Sequence, residues 1–141
     1  MHLILCDDDN VFLDKLETRI RGLCQKHGIA VEMERYDSSK KMLEGLKGMG
    51  MKLGVISNTA SLYQVFAVLR EYGIRDYFQD VTLSSVTGYR KPDPNIFLVS
   101  LNQIQSEPTN CAYVGDTLSR DVIGPIRMGF GATFHIDSYL T

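Results

Sequence analysis

Short apolar runs alternate along this chain with longer segments of helical period. Leu3-Ile4-Leu5-Cys6 and Leu53-Gly54-Val55-Ile56 are too short for helices and end in polar residues, so both read as buried strands. Val31-Glu32-Met33-Glu34-Arg35-Tyr36 alternates and reads as a strand with one polar face. Val81 to Ser84, Cys111 to Val114 and Ala132 to Ile136 complete the expected strands. Between them, apolar residues at 12, 13, 16, 20 and 23 predict a helix over 11–26, stopped by Gly28. Ser38 or Ser39 can cap a helix through about Leu46, closed by Gly48 and Gly50. Ala60 to Tyr72 reads as a helix ended by Gly73, Pro94 opens one through about Gln105, and Arg120 to Met128 forms the last. Such alternation implies a parallel sheet with helices on both faces, a three-layer α/β/α Rossmann-like architecture. Ligands bind beyond the carboxyl ends of strands in such sheets, and Asp7, Asp9, Ser57, Asn58 and Asp116 stand there.

Composition narrows the function classes. A chain of 141 residues suits one α/β domain over 1–141 and leaves no room for a second of useful size. A formal charge of −2 provides no basic field for nucleic acid. No run reaches the length of a membrane span, and the apolar opening is far too short for a secretory signal. Cys6, Cys24 and Cys111 are odd in number and scattered, which predicts reduced thiols in a cytoplasmic protein. Cys6 and Cys111, in strand-like runs, are expected to pack in the core.

Three constellations carry chemistry. In Val55-Ile56-Ser57-Asn58-Thr59 a strand delivers a hydroxyl and a carboxamide to its tip ahead of a helix, where N–H groups favour phosphate. A plain helix cap explains the same residues. In Gly88-Tyr89-Arg90-Lys91-Pro92-Asp93-Pro94 a lysine in a Gly- and Pro-shaped loop can serve as a fixed cation for phosphate, or stand as ordinary surface charge. In Tyr113-Val114-Gly115-Asp116-Thr117-Leu118-Ser119-Arg120-Asp121, Gly115 permits a sharp bend and two carboxylates follow. They suit Mg²⁺, or else a cap and a helix dipole.

Capping does not easily explain all three together at this spacing. Residues from about 42 to 136, roughly two thirds of the chain, resemble the C-terminal part of haloacid dehalogenase (HAD)-type phosphatases. The likeness rests on Ile56-Ser57-Asn58, Lys91-Pro92 with Asp93-Pro94, Gly115-Asp116 with Asp121, and the lead-in Leu43 to Lys47 and Lys52 to Val55. It implies a Mg²⁺-dependent phosphatase acting on a small phosphorylated substrate through an aspartyl-phosphate. By resemblance, Asp7 would be the nucleophile and Asp9 the acid/base. Ser57 and Asn58 would bind phosphate, and Lys91 would neutralise it. Asp7, Asp116, Asp121 and Asp9, the last through its backbone carbonyl, would serve the metal.

The family's first motif, Asp-x-Asp-x-Thr, is altered here to Asp7-Asp8-Asp9-Asn10-Val11. Residues 1–46 resemble instead the start of a response-regulator receiver domain of the LytTR-associated type. In such domains an acidic pair, here Asp7 and Asp8, binds Mg²⁺. The chain thus looks like a hybrid, with a receiver-like segment 1–46 and a HAD-like core 47–141. Receivers place their second strand beside the first, in the slot the HAD arrangement gives to the Asp116 strand. If the larger segment decides, the order is 132–136, 111–115, 2–6, 52–57, 80–85. Strand 31–36 is then peripheral, an edge open to pairing with a second copy. The short stretch from Asp9 to Ser57 leaves no room for a full helical cap, which predicts an open site, weak activity and loose specificity. The competing functions are a non-catalytic Mg²⁺- or phosphate-binding signalling module and an inert hybrid scaffold.

Overall fold

The computed structural model describes residues 2–6 and 10–136. The chain divides into two compact units, Met1–Met51 and Lys52–Thr141. Both alternate parallel strands with helices, the Rossmann-like α/β pattern expected from the sequence.

In the first unit β1 (His2–Cys6) leads to α1 (Asn10–Lys26), β2 (Glu32–Tyr36) and α2 (Ser39–Gly48). Strands β1 and β2 pair in parallel from His2↔Glu32 to Cys6↔Tyr36. A parallel pair needs a crossover connection, and α1 supplies it. Among the described side chains of α1, Leu13 and Cys24 are buried, while Leu23 is exposed. Arg35 of β2 reaches back to Asp14 at 2.7 Å and Glu17 at 3.4 Å on α1. The Ser38 hydroxyl caps α2 by accepting the Lys41 N–H. Strand 31–36, formed as β2 over Glu32–Tyr36, is therefore not set apart from the first strand. Its five residues pair with β1 inside the chain, because α1 is long enough to return the backbone alongside the first strand. Cys6 is exposed and Cys111 half-buried, so Cys24 on the helix is the cysteine that packs in a core.

In the second unit β3 (Gly54–Ser57) pairs with β4 (Asp80–Leu83) across α3 (Gln64–Glu71). The short α4 (Ser84–Thr87) and then α5 (Pro94–Ile104) follow. Finally β5 (Ala112–Gly115) pairs with β6 (Ala132–His135) across a π-helical segment, Leu118–Ile123, that runs into α6 (Gly124–Met128). Two expected neighbour pairs, 52–57 with 80–85 and 111–115 with 132–136, thus form. Helix α5 anchors this unit: Ile96, Phe97, Ser100 and Leu101 share its buried face. Burying side chains the size of Ile, Phe or Leu contributes about 1.5–3 kcal/mol each. Asp93 caps α5 by accepting the Asn95 N–H at 2.8 Å, and Pro94 takes the first turn, where its missing N–H costs nothing.

Two helices differ from expectation. The helix expected at Ala60 begins at Gln64, and Ser61 accepts the Tyr63 and Gln64 N–H groups in the turn that precedes it. The preceding backbone is held instead by Ser84, which exchanges hydrogen bonds with Thr59 at 2.9 Å each way. The helix expected at Arg120 starts earlier, at Leu118, as a π-helical turn. Such turns often occur at functional sites.

Candidate active site

The loop between α4 and α5 brings Lys91 indoors. Gly88, at φ 77°, ends α4 in the left-handed region that glycine tolerates, and Thr87 accepts the Tyr89 N–H. Asn58, just past the β3 tip, then holds Lys91 at two points. Its carboxamide oxygen accepts the Lys91 N–H at 2.7 Å, and its amide nitrogen donates to the Lys91 carbonyl at 3.1 Å. This clamp joins residues 33 apart in sequence. The Lys91–Pro92 peptide is cis. Gly124, where α6 begins, packs so closely on this loop that an added Cβ would lie 3.2 Å from both Pro92 and Phe97. The Lys91 side chain is only 11% exposed, and its ammonium donates to Asp121 Oδ1 at 2.6 Å and to the Tyr113 hydroxyl at 3.1 Å.

The tip of β5 supplies the partners. Asp121 is buried, and its second carboxylate oxygen accepts the Thr117 N–H at 3.0 Å while its own N–H donates to the Thr117 carbonyl at 2.7 Å. This reciprocal pair folds the first turn of the π-helical segment back onto Gly115. A Cβ at 115 would land on the Asp121 carboxylate, 2.6 Å from Oδ2. Glycine is required there for space, with no positive φ to explain it. Gly115→Ala is accordingly expected to cost about 1–3 kcal/mol, the usual range for overpacking. Thermal unfolding checks this, and an unchanged midpoint would mean the Asp121 turn can shift without loss.

Asp116 differs from Asp121. It is exposed at the strand tip, and its carboxylate accepts one hydrogen bond, from the Thr117 hydroxyl at 3.2 Å. Arg120 holds that hydroxyl at 2.8 Å, and His135 Nε2 lies 3.0 Å from the Asp116 carbonyl oxygen. Asp116 thus offers free oxygen ligand capacity of the kind Mg²⁺ takes, whereas Asp121 is committed to Lys91 and Thr117. Among the described residues no three His, Cys, Asp or Glu side chains cluster as a ready-made metal site. Asp7, Asp8 and Asp9, on which the expected nucleophile, acid/base and metal roles fall, lie outside the described residues.

Ser57, at the end of β3, is half-buried. It borders a hollow of about 290 Å³ with Asn58 and Thr59 on one side and Gln64, Val65 and Val68 of α3 on the other. The second unit therefore brings Asn58, Lys91 and Asp121 together directly, with Ser57 next to Asn58 in the chain. Sequence reasoning did not single out Tyr113. Its signal was the alternation of β5, in which Tyr113 and Gly115 share the less exposed face while Ala112 and Val114 point outward. Burial pushes the Tyr113 phenol well above its ordinary ionisation range, and the Asp121 charge adds to the effect. The phenol stays protonated beside the ammonium.

The model of haloacid dehalogenase-like hydrolases matches residues 6–129. That match runs through most of the segment resembling a receiver. The glyceraldehyde 3-phosphate phosphatase of Methanothermobacter thermautotrophicus is 30% identical over 121 residues, covering 85% of this chain and 53% of the relative. The enzyme of the same name from Methanopyrus kandleri is 34% identical over 97 residues, covering 69% and 41%. The chain thus spans about half the length of these curated relatives. The crystal structure of a HAD phosphatase from Thermococcus onnurineus superposes with a TM-score of 0.64 at 22% identity, over 100% of this chain and 91% of that one. The HAD-hydrolase YfnB from Bacillus subtilis, bound to magnesium, gives 0.64 at 22% identity over 72% and 44%. At such identity these two likenesses speak for the fold. With a family model covering residues 6–129, most of its length, this chain belongs to the haloacid dehalogenase-like hydrolases.

Proposed function

We propose that the chain is a Mg²⁺-dependent phosphomonoester hydrolase working through an aspartyl-phosphate at Asp7. The observation that carries this reading is the Lys91 ammonium, 11% exposed, tied to Asp121 and clamped through its backbone to the residue after Ser57. A cation so fixed suits a phosphoryl group better than a solvated surface lysine would. In the proposed reaction an Asp7 carboxylate oxygen bonds to phosphorus while the bond from phosphorus to the leaving oxygen breaks. Asp9 gives that oxygen its proton. Asp9 then takes a proton from water as the water attacks phosphorus and frees Asp7. Ser57 donates to a phosphoryl oxygen and Lys91 offsets its charge. Asn58 serves by fixing the Lys91 loop. Asp7, Asp116 and the Asp9 carbonyl would hold Mg²⁺, with Asp121 behind them. When bound, the ion neutralises charge between nucleophile and phosphate.

A small phosphorylated substrate fits the names of the relatives, both glyceraldehyde 3-phosphate phosphatases. Val11 in place of the motif's threonine, and the lack of a full cap between Asp9 and Ser57, point to slow turnover with loose selectivity. Among the described residues no helix is long and apolar enough to cross a membrane.

One observation favours a second reading, a non-catalytic receiver-like module that binds Mg²⁺ through Asp7 and Asp8. The pairing of β2 beside β1 is the arrangement a receiver would have. Hydrolysis of an aryl phosphate separates the two. The hydrolase should release phosphate with Mg²⁺, stop with chelator and recover when Mg²⁺ is restored. No release at any Mg²⁺ concentration would leave the non-catalytic module.

A further inference from the structure

We propose that Tyr113 is a positioning residue of this site, its phenol oxygen fixing the Lys91 ammonium opposite Asp121; the role rests on the phosphohydrolase reading above. An ammonium carries three N–H donors. Asp121 Oδ1 takes one at 2.6 Å and the Tyr113 hydroxyl takes another at 3.1 Å, which leaves the third to aim at a ligand. One anchor would let the four-carbon side chain swing about the Asp121 contact, whereas two set the direction of the third donor. The ammonium sits at the phenol's rim, 3.1 Å from its oxygen but 5.5 Å from the ring centre, so the contact is a hydrogen bond more than an attraction to the ring face.

The chemistry of the second anchor matters. Asp121 already balances the lysine's charge, and a second carboxylate in place of Tyr113 would leave the group net negative and repel a phosphate dianion. A protonated phenol holds the ammonium without neutralising it further. Burial and the Asp121 charge both keep the phenol in that neutral form. The ring itself is immobilised. Phe97, fully buried, meets it edge to face at 5.6 Å, and Phe130 does so at 5.8 Å. Phe97 and Phe130 also touch each other, at 6.0 Å, so the three rings form one rigid cluster behind the lysine.

Tyr113→Phe removes the oxygen and keeps the ring. In Mg²⁺-dependent aryl phosphate hydrolysis it should lower kcat/KM about tenfold, the scale of one hydrogen bond to a charged group, with Tm nearly unchanged. In a Lys91→Met background the same change should cost nothing more, because Tyr113 acts through Lys91. An unaltered rate in the single variant, or an equal fall in the Lys91→Met background, overturns the proposal. A second measurement needs no turnover. Lys91 acetylation by acetic anhydride, followed by peptide mass spectrometry against the exposed Lys40 and Lys47, should run several-fold faster in Tyr113→Phe. An unchanged ratio overturns the proposal even if the parent proves inactive, whereas a parent without activity but with the faster labelling defeats only the hydrolase reading.

Discussion

Asp7→Asn is expected to abolish Mg²⁺-dependent phosphatase activity, with the fold retained. The residue follows β1 directly, two positions before a second carboxylate, and the proposed reaction needs its oxygen as the nucleophile. A carboxamide keeps the shape of the side chain but not its nucleophilicity or its charge toward Mg²⁺. The other anchors of the site, Lys91, Asp121 and Asn58, belong to the second unit and hold one another by contacts that do not involve Asp7. Loss of activity with unchanged thermal unfolding is therefore the expected combination. A purified variant that matched the parent's rate would remove Asp7 from the mechanism.

The next largest effect separates the two readings of the acidic triplet. Asp9→Asn should reduce turnover by about 10²–10⁴, the range of a positioned acid/base. Asp8→Asn should matter much less, since the hydrolase gives that side chain no part. A receiver-like metal site would use Asp7 and Asp8 and reverse the ranking. Paired steady-state measurements decide between them. If Asp8→Asn proves the more damaging in activity or in Mg²⁺ binding, the acid/base assignment of Asp9 fails.

Much of the fold was legible from local pattern. Strand and helix order followed from apolar runs of four to six residues alternating with helical period, since each element must bury one face whatever its neighbours do. Helix ends followed where the signal is local, as with Pro94 for α5 and Ser38 for α2. Helix α3 starts later than its sequence suggests because Thr59 is drawn into hydrogen bonds with Ser84, 25 residues away, and Ser61 holds the turn ahead of Gln64. No local propensity contains that contact. The position of strand 31–36 was misjudged for a related reason. Its alternation declares a strand but not a partner, and the partner was set by α1 returning the chain beside β1.

The same division runs through the site. From sequence alone came the residue types and their places: a hydroxyl at 57 and a carboxylate at 116 on strand ends, a lysine at 91 in a loop, and a carboxylate at 121 just beyond the last of these ends. These are chemical requirements written at fixed spacing. Only the tertiary structure distinguished the two carboxylates, one exposed and open to a ligand, the other buried against Lys91. Packing also reassigned Gly115, whose missing side chain makes room for Asp121, and turned Asn58 toward the Lys91 backbone. Tyr113 became visible only once Phe97 and Phe130 had fixed its ring beside the ammonium. Spacing along a chain specifies which groups can reach a strand tip. Which of them touch, and which are left for a ligand, depends on contacts between residues 30 or more apart, and those exist only when the core has closed around them.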